Sequence, residues 1–389
     1  MIQVGLGWRA ARLIGTLLIA SLLWIVAGTS RGEEPSPPPF DLTWIHGTCR
    51  GCEIKRDLSD IQFVAPNEAW GISYAPPGET GAGDYAIVHT LDAGKHWTQL
   101  RSSYQHNDPP SISFPSQREG WAMIVDMTTA EQRLMETKDG GMHWHRLSLR
   151  DLFVDGIQYL GHGAGYATSF DIYQKQGYLF STTDSGRHWK KSALPAGFSP
   201  GRFAFSDPRR GFLSGCADGR LIVMNTFDGG DHWHRTDIDV PTTDSSSEYC
   251  HFEVDDLSTV GNQAWLLASK HSFKSGDEEG MASVFRTSDG GTHWAPVISA
   301  TYPGERLIFS AAQPFDDRSG LILENAISVL SKPTEAGTGH SLLYTTDGAE
   351  TWHRIPLPRD VYGCRPYAGA LTCASEDFWL LKVSPTRRP

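Results

Sequence analysis

The chain is short of positive charge, of long apolar runs and of helical periodicity, and each shortage removes a class of protein. Its 34 lysines and arginines face 45 aspartates and glutamates. Nucleic acids and anionic membrane surfaces reward clustered Lys and Arg, so neither is an expected partner. The apolar stretch from Leu13 to Ala27 has 15 residues, fewer than the roughly 20 that span a bilayer. Arg9 and Arg12 precede it and Gly28, Thr29 and Ser30 follow, the order of a secretory signal. Residues 1–30 are therefore expected to be a signal peptide or, uncleaved, an N-terminal anchor. No Cys lies near the cleavage point, which argues against a lipoprotein. Without these residues 32 bases face 45 acids. Residues 31–39 (RGEEPSPPP) read as a stiff polar linker.

Cysteine is also scarce. Cys49, Cys52, Cys216, Cys250, Cys364 and Cys373 are the whole set, and in an exported chain six cysteines are expected to be disulfide-bonded. Cys49-Arg-Gly-Cys52 has redox spacing, but no thioredoxin-type strand and helix surround it. Glu53 after Cys52 excludes the usual haem-attachment pattern.

What the chain has in abundance is one phrase, Thr-x-Asp-x-Gly-x-x-Trp, here called the box. It occurs as TLDAGKHW from Thr90, TKDGGMHW from Thr137, TTDSGRHW from Thr182, TFDGGDHW from Thr226, TSDGGTHW from Thr287 and TTDGAETW from Thr345. Its aspartates are Asp92, Asp139, Asp184, Asp228, Asp289 and Asp347, separated by 47, 45, 44, 61 and 58 residues. That spacing fits four short strands with their turns. Before each box stand an apolar strand, a polar turn, a second strand often opened by Gly or an aromatic (GWAMIV from Gly120, GFLSGC from Gly211), and a third strand entering the box. The fourth leaves through the box Trp. Alternating strands repeated in this way indicate an all-β propeller of four-stranded blades.

The box residues are expected to be structural. Asp92, Asp139, Asp184, Asp228, Asp289 and Asp347 accept hydrogen bonds within their own turn. Gly94, Gly141, Gly186, Gly230 and Gly291 supply positive φ, and Trp97, Trp144, Trp189, Trp233, Trp294 and Trp352 wedge between sheets. His96, His143, His188, His232 and His293 precede the Trp and His145 and His234 follow it, on the side opposite the indole. His143 with His145, or His232 with His234, form i, i+2 pairs, but the chain offers no third ligand. No metal or cofactor is expected.

Six boxes do not limit the ring to six blades. Gly363 to Val383 repeats the first two strands of a unit, and Phe40 to His46 resembles an outgoing strand. Joined, they make a composite seventh blade, although six blades with ragged ends stay open. Such a seam would bring Cys49 and Cys52 near Cys364 and Cys373 and allow disulfides to staple it.

The repeated phrase resembles the Asp box, or bacterial neuraminidase repeat, of sialidases, sortilin-type receptors, xyloglucan-cleaving glycosidases and the photosystem II stability/assembly factor family. A strand such as GWAMIV followed by METKDGGMHW is most similar to the last of these. That resemblance implies an exported seven-bladed scaffold over residues 40–389 that binds protein partners without catalysis, periplasmic or extracellular and monomeric. A glycan-active or glycan-binding protein is the alternative. Sialidases need an Arg-Ile-Pro phrase upstream of the first box; Arg354-Ile355-Pro356 follows the last one. The xyloglucan enzymes pair two propellers, which this length cannot supply.

Box turns join strands three and four and so share a face with the turns between strands one and two. On the opposite face the links from strand two to three are long in three blades: 75–84 with Glu79 and Asp84, 270–279 with Lys270, Lys274 and Asp277, and 331–340 with Lys332 and Glu335. These blades cluster on one arc of a seven-bladed ring, the candidate partner face.

Overall fold

The computed structural model describes residues 40–386 except 53–56, 76–83, 101–103, 106–110, 127–130, 150–153, 241–251, 261, 275–276, 304, 317 and 329–339. The expected leader and linker lie outside the described residues. No helix among those described is long and apolar enough to cross a membrane. The strands form seven sheets, each antiparallel through its four principal strands. Blade 1 runs Asp57–Ala65, Glu68–Ala75, Asp84–Thr90 and His96–Gln99; blade 4 runs Ser199–Phe205, Gly211–Ala217, Arg220–Thr226 and His234–Ile238. A single 3₁₀ turn, Glu376–Phe378, is the only helical element described.

Each sheet buries its apolar faces against its two neighbours, producing seven separate cores, one per junction. Trp70, Ile72 and Ile87 of blade 1 meet Ile112, Phe114 and Ile124 of blade 2. The same pairing continues around the ring to the junction where Ala374, Phe378 and Leu380 of blade 7 meet Leu58, Val88 and Trp97 of blade 1. The aromatic near the start of a second strand stacks flat on the next blade: Trp70 on Phe114 at 4.0 Å, Trp121 on Tyr159 at 4.5 Å and Tyr166 on Phe205 at 3.5 Å. Side chains also tie adjacent inner strands. The Gln62 amide donates to the Phe114 carbonyl and accepts from its N–H, both at 2.9 Å, and Gln158 grips Phe205 in the same way.

The seventh blade is composite, but its division differs from expectation. The C-terminal part supplies three strands, Val361–Tyr367, Ala370–Ser375 and Trp379–Pro385, and only the outermost, Phe40–His46, comes from the N-terminal side. The innermost strand, VYGCRPY, escapes a pattern search because Gly363, at φ 55°, forms a bulge and Pro366 interrupts the alternation.

The disulfides also correct the expected staple. Cys49 pairs with Cys52 and Cys364 with Cys373, both within their own blade. Cys364 sits in the bulge beside Arg365, opposite Cys373 in the hairpin, so the nearest thiol is local. Cys216 is bonded too; Cys250 lies outside the described residues. Such bonds fit an oxidising compartment.

The seam is held by the chain itself. After Phe40–His46 the backbone crosses to blade 1, where Thr48–Arg50 pairs in parallel with His96–Gln99. Gly47 lies against Trp97, where any Cβ would collide with the indole. Trp97 is therefore fully buried, whereas the other five box tryptophans are half-buried. Deeper in, Arg365 of blade 7 grips Asp60 of blade 1 through two hydrogen bonds, at 2.8 and 2.5 Å. Trp97→Ala should lower stability by about 4 kcal/mol and Trp233→Ala by clearly less, measured by urea unfolding. Deleting Phe40–His46 should expose the Trp379–Pro385 edge and cause aggregation. A truncated protein that stayed monomeric with an unchanged Tm would contradict this account of the seam.

Candidate functional site

Three regions are candidates: the box turns on one face and the inner strands around the axis, both rich in polar side chains, and the extended hairpins on the opposite face.

In every box the same circuit forms. The buried Thr hydroxyl donates to the Asp Oδ1 at 2.8–3.1 Å and accepts the N–H four residues on at 2.8–3.0 Å. The Asp Oδ1 also takes the N–H of the residue before the Trp. Its Oδ2 takes the imidazole Nδ1 of that residue, at 2.5 Å for His96, 2.6 Å for His143 and 2.7 Å for His232. In the sixth box Thr351 replaces the histidine, and its hydroxyl reaches Asp347 Oδ2 at 2.6 Å. Sequence reasoning placed the histidines opposite the indole but did not join them to the aspartate, and it gave the threonine no role. The signal was present in the fixed first letter of the phrase and in the Asp-to-His spacing of four.

The box glycines have a double role. Gly94, Gly141, Gly186, Gly230 and Gly291 all have φ between 77° and 94°. A Cβ on any of them would also strike a side chain of the preceding blade, Leu380 for Gly94, Trp70 for Gly141 and Phe212 for Gly291. The sixth box has Ala349 at this position, at φ 73°. Box tryptophans pack into the core shared with the preceding blade, as Trp144 does between blades 1 and 2. Each box turn bonds to the turn between strands one and two, for example Ala93 N–H to Asn67 and Gly229 N–H to Arg209, both at 2.8 Å. The two sets of turns therefore share one face.

This circuit holds the box carboxyls low. The amide and imidazole of His143 bring Asp139 down to about 2. Asp184, Asp228 and Asp289 fall well below the usual carboxylate range through their own histidines. For Asp347, burial alone would raise the value, but the hydroxyl and amide of Thr351 outweigh it and hold it at about 2.

The first strands of successive blades adjoin one another around the axis. Asp60, Arg202, Asp256 and Arg365, from blades 1, 4, 5 and 7, belong to these strands. Asp256 lies within electrostatic reach of both Arg202 and Arg365. Its Oδ1 accepts the Leu257 N–H at 2.9 Å and its Oδ2 the Ala312 N–H at 2.9 Å, tying blade 5 to blade 6. Burial nevertheless pushes its carboxyl up. Asp155, on the inner strand of blade 3, reaches solvent yet is crowded by protein, and burial raises it to about 6 against a hydrogen bond from Phe170. None of these charges was singled out from the sequence, because their convergence depends on ring order.

On the far face, Lys270 to Glu279 is not a loop. Gln263–Lys274 and Asp277–Thr287 pair continuously up to Lys274 opposite Asp277, leaving only positions 275–276 between them. Ser275-Gly276 is a two-residue turn signal, and the flanking residues simply extend the strands. The fourth strand, Ala295–Pro303, follows the hairpin outward. In blade 6, Glu305–Pro314 and Gly320–Ser328 are similarly long. Blades 5 and 6 thus raise a β wall. Asp84 pairs with Ala75 at the start of its strand; Glu79, Lys332 and Glu335 lie outside the described residues.

Arg354 of the Arg-Ile-Pro phrase is on the outermost strand of blade 6, bonded to Glu324 at 2.8 Å. Burial raises the Glu324 carboxyl against the pull of Arg354.

No family model matches the chain, and no curated protein matches it. Among solved structures the chain is similar to YCF48 bound to D1 peptide, at 16% identity over 90% of this chain and 98% of that one, TM-score 0.54. It is also similar to a GH74 xyloglucanase from Xanthomonas campestris, at 10% identity over 86% of this chain and 52% of that one, TM-score 0.54. A PL25 ulvan lyase matches at 11% identity over 85% and 94%, TM-score 0.52. At such identities the likeness establishes the propeller fold.

Box carboxyls with depressed values add stability that is complete above the unfolded value, about 4, and lost as pH falls toward 2. Asp155 acts in the opposite sense: its penalty is present above pH 6 and relieved as pH falls from 6 to 4. Thermal melts should therefore show Tm rising slightly from pH 7 to 5 and dropping below 4. Asp155→Asn should raise Tm at pH 7 and remove the rise. Ala349→Gly, which relieves left-handed backbone at a non-glycine residue, should stabilise the protein by up to about 1 kcal/mol.

Proposed function

We propose that this chain is an exported, non-enzymatic propeller scaffold that holds a partner protein on the face away from the boxes, against the β wall of blades 5 and 6. The observation that carries this reading is the asymmetry of the ring. The box turns are tied down by one repeated circuit, whereas the opposite rim is extended in two adjacent blades. The bound D1 peptide of YCF48 supports a peptide-binding use of this fold.

A glycan-active role has less in its favour. Hydrolysis of a glycoside needs two carboxyls facing one bond. Around the axis Asp60 is committed to Arg365, and both oxygens of Asp256 to backbone N–H groups. These two acids serve to join blades. The leader-like N-terminus and the disulfides support a periplasmic or extracellular location.

Replacing His271 to Gly280 by Asn-Gly keeps Lys270 opposite Met281 as the last pair and removes the upper wall. The variant should fold with nearly unchanged Tm and lose partner capture in crosslinking pull-downs from the native host. Altering the box-face turn Asp207 to Arg210 should leave capture intact. Equal capture by both variants would remove the wall from consideration and leave the axial charges as the binding region.

A further inference from the structure

The outer strands of the blades form the perimeter of the ring, and each turns one row of backbone N–H and C=O groups away from its sheet. In six blades that edge is blunted. His96–Gln99, His145–Arg146, Lys190–Ala193, His234–Ile238 and His353–Pro356 have two to five residues, and each contains a histidine or a charged side chain. Phe40–His46 carries Asp41 and His46. Short edge strands and charges are the usual protection against pairing with another chain.

Blade 5 departs from this pattern. Its outer strand, Ala295–Pro303, has 9 residues and reads APVISATYP, with no charge and no histidine. Pro296 and Pro303 bracket Val297–Tyr302, a run rich in β-forming residues. The strand pairs with Asp277–Thr287 as far as Pro303 opposite Glu279, at the top of the wall, and among the described residues nothing pairs with its other side. Ile298 is buried and Val297 half-buried against the core shared with blade 6, so the edge is anchored.

The chain itself shows what such an edge accepts. In blade 1 the outer strand His96–Gln99 receives Thr48–Arg50 as an added strand. A row of backbone donors and acceptors is matched in series by another extended backbone. A second copy of this chain is a poor occupant. Two copies meeting edge to edge would touch over a strip roughly 30 Å long and about 10 Å thick, on the order of 600 Å² in total and half of the roughly 1,200 Å² at which stable interfaces begin. A single extended segment needs no further surface and can follow the twist of the strand.

We propose that the outer edge of blade 5, over Val297–Tyr302, binds an extended, proline-free segment of the partner protein as an added β-strand. Main-chain hydrogen bonds carry the contact, and an uncharged segment rich in β-branched residues suits this uncharged strand better than an acidic or basic one. The inference deepens the proposed partner face and rests on it, since this strand is the outer margin of the wall.

The test begins with a random peptide library selected against the purified chain, the tightest peptide serving as probe. Bound probe should slow amide exchange at the outward N–H groups within Val297–Tyr302 about 10-fold, and N-methylation of the probe amides that face the edge should weaken it about 10-fold, as expected for one or two backbone hydrogen bonds. Successive residues point their N–H groups to opposite sides. One of Ser299→Pro and Ala300→Pro therefore removes an outward amide and keeps its Tm, while the other removes a ladder bond and lowers it. The variant that keeps its Tm should bind the probe about 10-fold more weakly. Failure to select a binder, full binding by that variant, or protection elsewhere on the chain would overturn the proposal. Protection of the same amides at high protein concentration without probe would assign the edge to a second copy and also overturn it. In crosslinking pull-downs, capture lost by the hairpin replacement but kept by this proline variant would overturn the edge and leave the wall standing; capture kept by both would remove both.

Discussion

Nothing inside a single blade can bury its own two faces, and the molecule depends on that constraint. Each sheet is covered only by the sheets beside it, so the seven cores form a cycle in which no junction is dispensable. An open ring would leave two apolar faces in water. Closure at the seam between blades 7 and 1 is accordingly reinforced in several independent ways: a strand exchanged between chain ends, a parallel extension over Trp97, and the Arg365–Asp60 pair. Neither Cys49–Cys52 nor Cys364–Cys373 crosses the seam, which the exchanged strand joins.

The box extends the same constraint to the rim. Its Thr, Asp and His or Thr residues lock a turn whose glycine must approach the preceding blade without a side chain. Backbone conformation and inter-blade contact are thus satisfied by one short phrase, which explains its recurrence without any catalytic demand. The sixth phrase shows the limits of that demand: Thr351 supplies the hydrogen bonds of a histidine, and Ala349 adopts the glycine backbone.

The repeat, the blade number and the composite blade were legible in the sequence, because each is written as periodic pattern or as an incomplete copy of it. The details that escaped are those a periodic search cannot register. The bulged strand from Val361 breaks alternation at Gly363, and the hairpin at Lys270 looked like a loop because its polar residues hid a continuous ladder. The cysteine pairing was undetermined by count, and the axial charges come from inner strands that meet only once the blades are in order. The partner face is the least legible part: recognition surfaces lie outside the repeat and follow no internal template.

The exchanged strand at the seam also has a consequence for the timing of folding. Phe40–His46 is the first strand among the described residues, yet its partner, Trp379–Pro385, is the last. Contacts so distant in sequence form slowly, and an unpaired strand edge is aggregation-prone while it waits. The ring therefore cannot close before Trp379–Pro385 is present. Until then Phe40–His46 waits without its partner, so the seam couples closure of the whole ring to the meeting of two strands more than 300 residues apart.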